Sequence, residues 1–408
     1  MKSKACLSCG KKLFINVLSL GNTYLSDFVD KDHIFKIPSY PLSLILCKNC
    51  YLLQLKEKTP LSKLYTNSYG YISGINQTMR KELAEIVKQA SKIVHLKKND
   101  IVLDIGCNDG TLLNNYSESV IRIGFDPVEK FSEYFKNKNE IFINNYFNSK
   151  KFANKFPGKK ARIITAISMF YDLNDPNHFL EDIKSCLSED GIFIIQQNYL
   201  AQMLSQNAFD NIVHEHIEYY SLLSLSSLLN RHGLEVIDVS VNNTNGGSFR
   251  TIISRKRVRK ISPNVKKLTN EESKLKLNTK IPYVAFANRI KLNAKKLRDF
   301  INQEVKKGKK VYVYGASTRG NTLLQYAKLN NKLITKAVER NPEKWGKFIA
   351  SCGIPIISEA EARKEQPDYM LVLPWFFKDE FIKREGEYLK KGGKFIFPLP
   401  KMEIVSKP

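Results

Sequence analysis

From residue 100 to residue 255 the chain alternates short apolar runs with longer stretches of helical spacing. The clearest runs are 101–104, 121–125, 141–143, 162–166 and 192–195, and two more follow at 236–241 and 249–254. Short runs rich in Ile, Val and Phe, separated by helical patterns, predict strands of a doubly wound sheet. Seven such strands define one α/β domain. A polar, Lys-rich stretch at 261–279 reads as a connector. After it, apolar positions from 285 to 306 recur at helical spacing and predict a long amphipathic helix. A second alternation, with strands at 310–314, 333–338, 369–373 and 394–398, predicts a second, smaller α/β unit. The first 75 residues show no long helical pattern. The chain therefore divides into units 1–75, 76–260 and 261–408, a reasonable count for 408 residues.

Composition narrows the class. No run of 18 apolar residues exists, so no membrane span is expected, and the start MKSKACLSCG lacks the apolar core of a secretory signal. A cytoplasmic protein is the expectation. The formal net charge of +25 raises the possibility of a nucleic-acid partner, but lysine outnumbers arginine 51 to 14. Phosphate and base recognition favour the bidentate guanidinium. A solvated lysine surface, or a basic bowl that attracts a diphosphate substrate, accounts for the charge better.

The cysteines carry the first chemical signal. Cys6 and Cys9 form one CxxC pair, Cys47 and Cys50 a second, with 37 residues between the pairs. Two-residue spacing lets both thiolates of a pair face one ion, and two pairs make a closed tetrahedral set suited to structural Zn2+. The alternative is four unrelated thiols. The remaining Cys107, Cys186 and Cys352 are isolated and read as packing residues.

The second signal is the turn after the first central strand, Ile101-Val-Leu-Asp-Ile-Gly-Cys-Asn-Asp-Gly-Thr111. Gly106 and Gly110 permit a tight turn, and a helix is expected to start near Thr111. The G-x-x-x-G spacing departs from the dinucleotide G-x-G-x-x-G, and Asp104 and Asp109 would repel a pyrophosphate. They suit the ammonium and sulfonium of S-adenosylmethionine (SAM) instead. Asp126, at the end of the second strand, is placed to accept the ribose hydroxyls. Asn108 lies in the turn itself. Ser168 and Met169, in the stretch 165–171 at the end of the fourth strand, border the methyl donor in such folds. Asn198 and Tyr199, at the end of the fifth, offer polar groups to an acceptor.

The third signal is the cluster His214-Glu215-His216, followed by Tyr219 and Tyr220. It does not match the i, i+4 spacing of a zinc protease. It reads either as an acid–base site, with the carboxylate tuning an imidazole, or as a hydrogen-bonded structural patch.

Taken together, the CxxC…CxxC head, LDIGCNDG, DNIVHEHIEYYS, Asn245-Gly-Gly-Ser-Phe-Arg250 and Tyr314-Gly-Ala-Ser-Thr-Arg-Gly-Asn321 resemble, in this order, the sugar C-methyltransferases. Those are three-domain, zinc-containing, SAM-dependent enzymes that methylate C-3 of nucleotide-linked 4-keto-6-deoxy sugars. The resemblance implies a zinc-binding head, a class I SAM methyltransferase domain and a Rossmann-like C-terminal domain that helps hold a TDP- or GDP-linked keto-sugar. It implies that His216 removes the C-3 proton with Glu215 beside it, and that Tyr69 or Tyr71 lines the active site. Tyr171 or Tyr220 would steady the oxyanion, and His214 would lie against substrate. The loop 315–321, through Ser317, Arg319 and Asn321, could meet the diphosphate or be a plain strand-to-helix turn. Arg250 could reach substrate or belong to a simple hairpin. Two departures stand out: Val213 precedes the HEH triplet where the family carries Tyr, and Phe170-Tyr171-Asp172 stands where it carries a His. An RNA methyltransferase with a zinc head and a sugar O- or N-methyltransferase are the rival readings. A monomer is expected.

Overall fold

The computed structural model describes residues 4–60, 64 and 71–406, and three sheets organise them. The central one has seven strands in the order Leu234–Asn242, Ser248–Arg255, Leu187–Asn198, Ala161–Ile167, Ile101–Ile105, Ile121–Asp126 and Glu140–Asn144. The last five in that order are mutually parallel, and the hairpin formed by the first two closes the edge antiparallel to Leu187–Asn198. All seven expected strands are present. The chain leaves Ile101–Ile105 toward one edge and returns on its other side at Ala161–Ile167. The switch point therefore lies between these two strands, where open α/β sheets bind ligands.

A four-stranded antiparallel sheet forms the head, from Phe14–Tyr24, Ser39–Cys47, Leu53–Leu55 and the short Glu218–Tyr219. The fourth strand comes from the HEH segment, with Glu218 opposite Gln54. An eight-stranded sheet organises the C-terminal unit around the parallel strands Lys394–Phe397, Tyr369–Val372, Val311–Tyr314, Lys336–Glu339 and Ile354–Ser358. Ile354–Ser358 is absent from the sequence expectation because Pro355 reads as a strand breaker. Phe28–Val29 of the head pairs with Phe348–Ile349 at the edge of this sheet. One apolar core runs from Leu42, Leu44 and Leu46 of the head through Leu200–Ser205 and Ile212 to the C-terminal sheet. The HEH segment is thus wedged between units.

Two expectations are corrected. No α-helix opens at Thr111. A short 3-10 turn, Leu113–Asn115, follows, because Asn115 Nδ2 donates to the Thr111 carbonyl (2.8 Å) and Ser119 N–H to Ser117 Oγ (3.2 Å) in place of helical bonds. The Lys-rich stretch at 261–279 is not a plain connector either. It holds the helix Pro263–Lys274, capped by Ser262 with Pro at its first turn. Its buried Leu268 and Glu272 face the central unit, where Glu272 accepts from Leu222 N–H, Leu223 N–H and Tyr199 Oη. The long helix is Ile281–Lys306, and Tyr283, Phe286, Ile290, Ala294, Leu297 and Ile301 form its buried stripe.

Candidate active site and zinc centre

The four cysteines converge. Cys47 ends strand Ser39–Cys47, Cys50 follows in the turn, and Cys6 and Cys9 lie on the opposing loop. Cys6 Sγ is 3.5 Å from Cys50 Sγ, Cys9 Sγ is 3.6 Å from Cys47 Sγ, and all four sulfurs lie within 4.8 Å of one another. A tetrahedron with metal–sulfur bonds of about 2.3 Å has edges of about 3.8 Å, so the set fits zinc. Cys6, Cys47 and Cys50 are buried and Cys9 is half-buried. The head is tied to the central unit by Asn177 Nδ2 donating to the Leu7 carbonyl (2.7 Å). Arg231 Nη2 also donates to Ser8 O (2.6 Å) and Oγ (2.7 Å).

At the switch point the turn after Ile101–Ile105 carries Gly106 and Gly110, both at φ +72°. A Cβ on Gly106 would stand 3.2 Å from Met169 Cγ, and one on Gly110 3.2 Å from Phe135 Cζ, so the turn is closed by contact as well as conformation. Thr165 Oγ1 donates to Asp104 Oδ1 at 2.6 Å, and burial raises Asp104 to about 7, with the nearby Asp126 adding to the shift. Asp126 accepts Val128 N–H (2.9 Å) on Oδ1 and Asn108 N–H (3.0 Å) on Oδ2. Each oxygen keeps a second lone pair, which suits a vicinal diol.

Asn108 and Asp109 do a different task from the one expected. Asn108 accepts from Ser73 N–H and donates to the Tyr71 carbonyl (3.0 Å), and Asp109 accepts from Gly74 N–H (2.8 Å). Both hold the segment 71–74 down beside the turn. Ser168 adopts φ +57° with its N–H bonded to the Gln196 carbonyl, and Met169 packs over Gly106. The donor set, two buried carboxylates at strand ends with no α-helix N-terminus behind the turn, fits SAM and not a dinucleotide. Asp126→Ala is expected to weaken SAM binding by roughly 1.5–3 kcal/mol, the usual loss for a charge-assisted hydrogen bond. Asp126→Asn, which keeps an acceptor, should lose less. Equal affinities for wild type and both variants by calorimetry would place the ribose elsewhere.

Near the ends of Ala161–Ile167 and Leu187–Asn198, Tyr171, Asn198, Tyr199, His216, Glu218 and Tyr219 surround a void of about 10 Å³, room for a single water. His216 Nδ1 lies 2.9 Å from the Asn211 carbonyl. A carbonyl only accepts, so Nδ1 carries the hydrogen and Nε2 keeps its lone pair. The Tyr171 ring stands edge-on to the imidazole with centroids 4.3 Å apart. Burial lowers His216 to about 3; Arg319 acts in the same direction, and the Asn211 bond opposes it. The base form is therefore populated.

The other expected residues divide. Tyr199 lines the cavity, but its hydroxyl is given to Glu272. Tyr220 is fully buried and donates to Glu218 Oε2 (3.0 Å), so it faces the core and does not steady an oxyanion. Glu218 itself was not anticipated; its carboxyl, pushed up by burial, lines the cavity. Burial raises Glu215 to about 7. His214 points to the head, with Nε2 3.4 Å from Thr23 Oγ1 and 3.3 Å from the Tyr40 carbonyl, which corrects its assignment to substrate.

Arg250 is also corrected: its guanidinium is committed to Gln196 Oε1 (2.8 Å), Gln89 Oε1 (2.7 Å) and Glu82 Oε1 (2.6 Å). Arg319 is paired with Asp210. Asn321 Nδ2 donates to Ser26 Oγ (2.6 Å), and Ser317 caps the helix Thr318–Tyr326. Arg319 and Asn321 are thus held by partners inside the protein, while Ser317 accepts from Gly320 N–H as the helix cap. Tyr71 is 46% exposed beside the turn, and Tyr69 lies outside the described residues.

A seven-stranded sheet with an acidic turn at its switch point, a four-thiolate head and a histidine in the adjoining cavity define a zinc-containing SAM-dependent methyltransferase. Family comparisons agree. A zinc binding domain family matches residues 6–65, a methyltransferase domain family 75–239, and a C-methyltransferase C-terminal domain family 243–400. The C-methyltransferase NovU of Streptomyces niveus is 28% identical over 98% of this chain and 96% of its own length. The chain is a SAM-dependent methyltransferase similar along its length to zinc-containing C-methyltransferases, with SAM and Zn2+ as cofactors.

Among solved structures, a chain from the complex of the Haloferax volcanii Trm112 methyltransferase activator with a methyltransferase is 16% identical. The match covers 45% of this chain and 94% of that one, with a TM-score of 0.36. A SAM-dependent methyltransferase from Clostridium acetobutylicum is 14% identical, covering 43% and 92%, with a TM-score of 0.34. Neither bears on the chemistry.

Proposed function

We propose that this enzyme methylates C-3 of a TDP- or GDP-linked 4-keto-6-deoxy sugar, with His216 as the base, in the making of a branched deoxysugar. The observation that carries the reading is the His216 tautomer: Nδ1–H is held by the Asn211 carbonyl, which leaves the lone pair on Nε2 of a ring that borders the void at the strand ends. A ketone at C-4 acidifies the C-3 hydrogen. Nε2 takes that proton and the C–H electron pair moves toward the carbonyl oxygen. The negative charge arising there supplies a counter-charge for the imidazolium, which burial otherwise disfavours. Tyr171, whose ring packs edge-on against the imidazole, is assigned to the neighbourhood of that oxygen.

SAM supplies the electrophilic methyl group. The chain's own part is to hold the carbon in line with it, and positioning of this kind supplies much of the rate. The strand-end side chain of Asn198 lines the same cavity and is assigned to the sugar. With Arg250 and Arg319 engaged inside the protein, the diphosphate falls to the lysine-rich exterior, in keeping with the net charge of +25. The enzyme is proposed to act as a monomer in the cytoplasm. Reduced, metal-binding thiols suit that compartment, and among the described residues no helix is long and apolar enough to cross a membrane.

The test uses a panel of TDP- and GDP-linked 4-keto-6-deoxy sugars in deuterated water. With S-adenosylhomocysteine in place of SAM, the correct sugar should exchange its C-3 hydrogen for deuterium. With SAM it should gain one methyl group on carbon, read by mass spectrometry and NMR. A methyl group found on oxygen or nitrogen, or on RNA, would overturn the reading.

A further inference from the structure

Where the C-terminal unit meets the HEH segment, one carboxylate gathers three donors. Asp210 is 1% exposed, and its Oδ2 accepts Arg319 Nε at 3.0 Å, Arg319 Nη2 at 2.7 Å and Trp375 Nε1 at 3.1 Å. Arg319 Nη1 donates to the Asn245 carbonyl, and the guanidinium lies 4.7 Å from the centroid of the Phe376 ring. Arg319 and Trp375 come from the C-terminal unit, one in the first turn of Thr318–Tyr326 and one in the turn after Tyr369–Val372. Asp210 and Asn245 come from the central unit.

The neighbouring residue, Asn211, supplies the carbonyl that fixes the His216 tautomer. The same C-terminal helix takes hold a second time, through Thr322 Oγ1 donating to the Ile212 carbonyl at 3.2 Å. Two anchors thus bracket the carbonyl on which the base depends. The hairpin is shaped to the arrangement: Gly246 has φ +79°, and a Cβ there would stand 3.0 Å from Trp375 Cζ2 and 3.3 Å from Arg319 Nη2.

We propose that Asp210, Arg319 and Trp375 form a latch by which the C-terminal unit positions residues 209–216 and so holds His216 in its working tautomer and place. The inference rests on His216 being the base. Asp210, Arg319 and Trp375 are positioning residues and touch no substrate. A buried ion pair is weak as a source of stability but strongly directional, and breaking it from one side leaves an uncompensated charge. That combination suits setting geometry. Arg319 also keeps a cation near the imidazole, and Asp210 offsets it. Tyr171, Glu218 and Tyr219 border the same void as the ring.

The test uses the full-length, zinc-loaded protein with 15N-labelled histidine. In wild type the His216 nitrogens should show one protonated Nδ1 and one unprotonated Nε2. Arg319→Gln and Asp210→Ala should mix the two tautomers and lower kcat by roughly 10–100-fold, since displacing a catalytic group by about 1 Å suffices for that. KM for the sugar nucleotide and SAM affinity should stay near wild type. Arg319→Lys, which restores charge without the fork, should recover only part of kcat. If Asp210→Ala fails to fold, Trp375→Phe removes a single donor and should give the same effects in milder form. A rise in KM with unchanged kcat in Arg319→Gln would make Arg319 an anion contact and overturn the latch. So would an unchanged tautomer in Arg319→Gln and Trp375→Phe. Should His216→Ala keep its turnover, the base reading fails on its own, and the tautomer spectra still decide whether the latch holds the ring.

Discussion

His216→Ala should lose C-3 hydrogen exchange and methyl transfer together, by about 10²–10⁴-fold, the range expected when a general base is removed. Zinc content and SAM affinity should be unchanged, because neither the four sulfurs nor the Asp104–Asp126 strand ends use this ring for support. The paired loss is what makes the result specific. Loss of methyl transfer alone would follow from any misplacement of the acceptor, whereas hydrogen exchange reports the proton step by itself. His214→Ala should affect stability more than rate, since that imidazole packs edge-on to Tyr40 and meets Thr23 in the head. Tyr171→Phe should retain exchange in part, as it removes a stabilising donor and leaves the base. Near-normal turnover in His216→Ala would move the base to Glu218 or Glu215, the other groups nearby able to take a proton.

The expected strands of the central sheet were legible because each contains a short apolar run between turns, and burial on both faces demands that pattern for the inner ones, Ile101–Ile105, Ala161–Ile167 and Leu187–Asn198. The zinc set was legible because spacing alone brings two thiolates of a pair together. What escaped the sequence is long-range pairing. Arg319, in a turn between strand and helix, looks like a phosphate contact until Asp210, 109 residues earlier, is found 2.7 Å away. Arg250 looks free until Glu82 and Gln89 reach it from the helix Gln77–Ile93. The HEH triplet hid a division of labour as well. His214 is bonded into the head and His216 opens on the cavity, and sequence order cannot assign those directions. The helix Pro263–Lys274 was masked by its lysines, which decorate a solvent face while Leu268 and Glu272 dock.

Removing zinc is expected to disable the enzyme through the fold, leaving the cofactor site intact. Each protein chain should carry about one zinc, since one set of four thiolates closes one tetrahedral site. Structural zinc contributes on the order of 10–16 kcal/mol of apparent folding free energy in small isolated domains. Cys47 ends the strand Ser39–Cys47, which pairs with Leu53–Leu55, which in turn pairs with Glu218–Tyr219, only two residues past His216. Loss of the metal should therefore loosen the head, release that last strand and take turnover with it. SAM binding, built on Ile101–Ile105 and Ile121–Asp126, should survive. Chelation and the Cys6→Ser, Cys47→Ser double variant should agree: no zinc by elemental analysis, a lowered first unfolding transition, lost methyl transfer and measurable SAM affinity by calorimetry. Full zinc retention in the double variant would remove the assignment. Full activity in a zinc-free protein would leave the assignment of the four-thiolate site intact but sever its link to the base.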